Sequence, residues 1–222
     1  MDCKIIKYFL ILFLINFKVI AAEFQGKFIQ GHYIIGKTSP GTKVLIDKKR
    51  VKVSKDGYFA FGISKDRKFD IIINEGNNKI VKKIQKRTYN IQKINGLPEK
   101  KVNPPEEVYE RIKKENQLIV KAREIESDLD FFKDKFIMPL DNAIITGVYG
   151  SQRILNGVPK WPHYGLDFAE KTGTPIKAMN NGITTLAEND LFYTGATLIF
   201  DHGHGVSTLY MHMDEIFVSV GD

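Results

Sequence analysis

Between Glu23 and about Lys93 the apolar residues come in short runs, each interrupted by turn-forming residues before a helix could form. Phe28, Ile34-Ile35, Val44-Leu45-Ile46, Val51-Lys-Val53, Tyr58-Phe-Ala-Phe61 and Phe69-Asp-Ile-Ile-Ile73 are the strand candidates. Ser39-Pro40-Gly41, Asp56-Gly57 and Glu75-Gly76-Asn77 punctuate them, because Gly, Pro, Asn and Asp supply the backbone angles that tight turns need. Regular short strands of this kind predict a small β-sandwich over residues 23–93. His32 is the only histidine there, and a lone His has no catalytic spacing.

The segment before it has a different character. Lys4 and Lys7 precede a run from Tyr8 to Phe17 that is apolar except for Asn16, and Ala21-Ala22 follow. A basic start, a short apolar stretch and small residues are the layout of a secretory signal peptide, so residues 1–22 are expected to be removed on export. An uncleaved anchor is the alternative; either way, contact with a membrane is expected through this segment alone. Cys3, the single cysteine, falls inside it. The mature chain therefore has neither disulfides nor thiolate ligands, and a metal would have to sit on His, Asp or Glu.

Charge divides the chain. Residues 23–103 carry 19 Lys and Arg against 7 Asp and Glu, whereas residues 104–222 carry 11 against 18. A basic module followed by an acidic one suits contact with an anionic envelope polymer, and the expected export argues against nucleic acid as the partner. A lysine-rich composition alone would give the same imbalance.

Residues 94–135 read as a linker and a helix. Gly96 and Pro98 mark the linker; Asn103 is placed to cap a helix, Pro104 suits its first turn, and Glu106-Glu107 favour its positive end. Val108, Ile112, Ile119 and Ala122 recur at helical spacing, so the helix is expected to run to about Ser127 and pack on a neighbouring domain. From Phe136 onward strands return, at Ala143–Thr146, Ile183–Leu186, Thr197–Phe200 and Val206–Tyr210, with glycine-rich turns between them.

Two stretches in this second unit carry chemistry. In Trp161-Pro-His-Tyr-Gly-Leu-Asp-Phe-Ala169, His163 and Asp167 flank Gly165, and an imidazole and a carboxylate both suit zinc. In Asp201-His-Gly-His-Gly-Val-Ser-Thr-Leu-Tyr-Met-His-Met213, a hairpin would return His212 at the end of its second strand, and strand spacing places Tyr210 and His212 on one face. Each stretch alone is weak evidence.

Taken in order with Gly147-Val-Tyr-Gly-Ser-Gln-Arg153, Gly173-Thr-Pro175 and Asn181-Gly182, they closely resemble the lysostaphin-type peptidoglycan endopeptidases, a family of zinc metallopeptidases. The resemblance runs from about Phe136 to the last residue. It implies an all-β chain: a small immunoglobulin-like β-sandwich at 23–93, a helical spacer at 94–135, and the N-terminal part of an antiparallel β peptidase domain at 136–222. It also implies His163 and Asp167 as the first two Zn²⁺ ligands and His212 as a catalytic histidine. The substrate it implies is peptidoglycan, cut at peptide cross-bridges in the periplasm or cell envelope. Family members continue to a His-x-His segment that supplies a third ligand; this sequence stops at Val218-Ser-Val-Gly-Asp222, so impaired catalysis is expected. The alternative is a non-catalytic envelope protein that binds cell wall or regulates another wall hydrolase.

Overall fold

A computed structural model describes residues 22–222; the expected signal segment lies outside the described residues, apart from Ala22. The chain is built mainly of β-strands, with one substantial helix. Seven strands form the N-terminal sandwich: β1 (Glu23–Gln25), β2 (Tyr33–Lys37), β3 (Val44–Ile46), β4 (Lys49–Val51), β5 (Tyr58–Gly62), β6 (Ile71–Glu75) and β7 (Asn78–Lys82). They make two antiparallel sheets in the orders β1-β2-β5 and β4-β3-β6-β7. Alternation sends Ile34, Val44, Phe59, Ile71 and Ile73 inward, where they are almost wholly buried, with Phe24, Phe28 and Phe61 packed around them.

Local chemistry sets the hairpins. Ile46 faces Lys49, leaving Asp47 and Lys48 as a two-residue loop with φ of 49° and 71°, the left-handed pair such a hairpin needs. Lysines line the outer strands of the four-stranded sheet, Lys49 on β4 and Lys79 and Lys82 on β7. Charged edges of this kind discourage strand addition by other chains, which gives part of the basic charge a structural purpose.

The last strand before the linker does not stay with the sandwich. β8 (Ile91–Ile94) crosses the boundary expected at 93/94 and pairs in parallel with β10 (Gln152–Leu155), with β11 (Val158–Pro159) on the other side. A short helix, α1 (Glu99–Val102), follows, and the main helix α2 runs over Tyr109–Arg123. Its start differs from the sequence expectation. Asn103 closes α1, its side-chain amide donating to Glu99 at 2.6 Å, rather than capping α2. The cause is Pro104-Pro105: the residue before a proline is pushed out of the helical region, so helical turns resume only at Glu106.

The second unit contains a two-stranded sheet of β9 (Ile144–Gly147) and β12 (Asp167–Ala169), and a meander of β13 (Ile183–Leu191), β14 (Gly195–Asp201) and β15 (Ser207–Met213). α2 lies on the meander: Ile119 and Ala122 pack against Leu186, Ile199 and Leu209. Glu115 accepts from the Phe192 amide at 2.7 Å, tying the helix to the end of β13. Phe132, fully buried in the connection after α2, touches both units: its carbonyl accepts from the Tyr33 hydroxyl at 3.1 Å, and its ring packs 4.7 Å from that of His204. Among the described residues no helix is long and apolar enough to cross a membrane.

Candidate metal centre

His163 sits on the loop before β12, its backbone fixed by two hydrogen bonds. Its amide donates to the Ser151 carbonyl at 2.8 Å, and its carbonyl accepts from the Gly150 amide at 2.6 Å. The side chain is buried, and Nε2 lies 3.0 Å from Oδ1 of Asp167, the first residue of β12. Nδ1 is buried with no partner, the kind of orphaned polar atom that costs about 1–3 kcal/mol unless a site has a use for it.

Asp167 is placed by what β9 lacks. Its cross-strand partner is Gly147, and a Cβ on Gly147 would come within 2.4 Å of Oδ2 and 2.9 Å of the carboxyl carbon. Only glycine leaves room for the carboxylate to fold over the strand. Oδ2 is bound by the Arg153 guanidinium from β10, which leaves Oδ1 turned toward His163. Aromatic rings pack beside the His163 loop: Tyr149 meets Tyr164 edge-on at 6.0 Å, and Tyr89 lies against the bare Cα of Gly150, whose amide holds the His163 carbonyl.

The pair fits a zinc half-site. Two ligands on one tetrahedral ion stand about 3.4 Å apart, given Zn–N and Zn–O bonds near 2.1 Å, so the 3.0 Å pair needs an opening of about 0.4 Å. Arg153 on the distal oxygen is the outer hydrogen-bonding partner that ligating carboxylates generally have. Among the described residues no group of three or more His, Cys, Asp or Glu side chains is placed to hold a metal ion, so His163 and Asp167 stand as two donors.

His212 stands on β15 of the meander, and it is exposed. The expectation that it shares a face with Tyr210 is corrected. The β14–β15 register slips between Ala196 and Leu198, putting an extra residue on β15, and His212 takes φ 60°. Such a bulge breaks strand alternation and re-aims a side chain. Tyr210 therefore points inward, its hydroxyl accepting from the Met179 amide at 2.7 Å, while His212 faces solvent. His202 is already committed: fully buried, its Nδ1 donates to the Asn181 carbonyl at 2.6 Å and its Nε2 lies 2.8 Å from the Thr208 hydroxyl. Burial holds its pKa below the ordinary histidine value. Sequence reasoning missed Gln92 of β8, whose side chain meets Arg153; a glutamine in an alternating run carries no signal of its own.

Residues 161–222, which include His163, Asp167 and His212, match Peptidase family M23. The C-terminal segment is thus similar to that family. The chain is 35% identical over 60 residues to peptidoglycan DD-endopeptidase ShyA of Vibrio cholerae, covering 27% of this chain and 14% of that protein. A metalloprotease of Buchnera aphidicola is 36% identical over 61 residues, covering 28% of this chain and 16% of its own length. The chain thus spans about a seventh of the length of these relatives. A crystal structure of a Pseudomonas aeruginosa protein assigned to peptidase M23 has the same fold, with a TM-score of 0.60, 22% identity, and coverage of 88% of this chain and 78% of that one. That likeness extends the fold relationship beyond the M23 segment into the sandwich and helix.

Proposed function

We propose that the chain is an envelope-located, zinc-dependent endopeptidase directed at the peptide cross-bridges of peptidoglycan. The observation that carries this is the buried His163 and Asp167 pair at 3.0 Å, inside the segment that matches M23. The relatives support a peptidoglycan substrate and a metal. In this reading His163 and Asp167 hold the ion, and Arg153 fixes which carboxylate oxygen is offered. When bound, zinc supplies the acidity that makes water a nucleophile near neutral pH and polarises the scissile carbonyl. His212 assists at the oxygen that becomes anionic, and its exposure leaves it free to approach substrate. Catalytic zinc takes three protein ligands, so a third donor has to join these two for full activity.

A second reading rests on the two-donor count. If no third donor joins them, the chain binds wall polymer or another wall hydrolase without cutting, and the lysine-edged sandwich is the contact surface. Zinc uptake by the purified chain, followed by release of peptides from purified peptidoglycan, separates the two. Endopeptidase activity lost in His163→Ala and Asp167→Ala supports the first reading. Wall retention with no hydrolysis supports the second.

A further inference from the structure

The strand that leaves the N-terminal sandwich becomes part of the wall of the metal half-site. β8 pairs with β10 in a parallel register that sets Gln92 opposite Arg153, so their side chains emerge on the same face. Gln92 Oε1 accepts from Arg153 Nε at 3.3 Å, across 61 residues of sequence. The same amide's Nε2 donates to the Thr146 carbonyl at 3.3 Å. The reverse amide orientation would set donor against donor and acceptor against acceptor, so both partners specify one rotamer. Arg153 in turn binds Oδ2 of Asp167 through its terminal nitrogen. Thr146 precedes Gly147, the residue whose missing side chain makes room for that carboxylate.

We infer that Gln92 is a positioning residue for the metal site: one amide bridges β9 and β10, fixes the Arg153 guanidinium, and through it holds Asp167 with Oδ1 toward His163. The inference rests on the metal-site reading above. It makes the tail of the sandwich a working part of the peptidase unit, because a one-residue slip of β8 would carry the glutamine to the opposite face. Backbone pairing of β8 with β10 could stabilise the fold without any role for this side chain, so the test must read the side chain alone.

Zinc affinity of the purified chain is measured for the unmodified protein, Gln92→Leu, Gln92→Glu, Arg153→Lys and the Gln92→Leu/Arg153→Lys double variant, with metal-free unfolding midpoints alongside. Gln92→Leu should weaken zinc about 10-fold, the low end for loss of an outer partner, without moving the midpoint. Gln92→Glu keeps an acceptor for Arg153 Nε and should restore most of the affinity. In the Arg153→Lys background, where Nε is absent, Gln92→Leu should have no further effect. Equal affinity in Gln92→Leu and the unmodified chain, additive losses in the double variant, or losses that simply follow lowered midpoints would overturn the inference while leaving the metal site standing. No zinc uptake by the unmodified chain would overturn the metal-site reading itself, and this inference with it.

Discussion

Gly147→Ala is the substitution that most directly separates the metal site from the fold. The new Cβ would stand 2.4 Å from Asp167 Oδ2, 2.9 Å from Cγ and 3.1 Å from Cβ, where real contacts begin near 3.0 Å and become ordinary at 3.4 Å. The carboxylate must therefore retreat by roughly 0.6–1.0 Å, several times the ~0.2 Å tolerance of a metal–ligand bond. Asp167 is 37% exposed at its side chain, so it can swing outward rather than strain the backbone. Overpacking then costs about 1 kcal/mol, the low end of its range. Loss of the partly exposed Arg153 pair adds about 0.2–1 kcal/mol. Alanine recovers about 0.5–1 kcal/mol of the entropy that glycine loses in a strand. The net change in stability is about 0.2–1.5 kcal/mol, whereas zinc affinity should fall at least ~10-fold. Gly165→Ala is the control, since its Cβ would meet nothing nearer than His163 Nε2 at 3.6 Å. Zinc titration and thermal unfolding of both variants decide the matter. Zinc bound by Gly147→Ala as tightly as by the unmodified chain would refute the placement of Asp167 as a ligand.

Other outcomes follow from the packing. Gly36→Ala would put a Cβ 2.1 Å from the Phe59 ring, its cross-strand partner, and should cost about 1–3 kcal/mol by urea unfolding; trimming the ring with Phe59→Leu in the same chain should recover part of the loss. Phe132→Ala empties a fully buried site at the junction of the two units and should cost about 3–5 kcal/mol, read as a lowered unfolding midpoint. His202 gives a pH signature. Its pKa is lowered by burial, so below pH 6.5 the unfolded chain binds a proton that the folded chain refuses, and stability falls on acidification until the folded-state pKa is passed. His202→Gln should flatten that slope in unfolding measured from pH 7.5 downward, and an unchanged slope would assign it to other groups.

The sandwich was legible because both of its signals are local. Two-residue alternation picks out the inward face at Phe59 and Phe61, and turn residues such as Gly76-Asn77 fall between β6 and β7, where they close a tight hairpin. The start of α2 was misread because two rules compete at Asn103. A capping residue before proline favours a helix start, but a second proline forbids it, and steric exclusion outweighs a cap worth about 1 kcal/mol. β8 was hidden for another reason. Its pairing is parallel with a strand 61 residues later, and no local pattern in Ile91-Gln-Lys-Ile94 specifies so distant a partner.

The candidate site shows the same division. Residue type and order, read through the resemblance, pick out His163 and Asp167, because zinc accepts few donors. Their mutual distance depends on Gly147 and Arg153, which act from other strands and carry no metal chemistry themselves. His212 is the sharper case. Strand spacing gives it the face of Tyr210, yet one inserted residue opposite Thr197 reverses the outcome, and the insertion is a property of the pairing rather than of β15 alone. A bulge sets the direction of a side chain without changing its identity. A candidate residue can therefore be named from sequence, while the direction in which it reaches cannot.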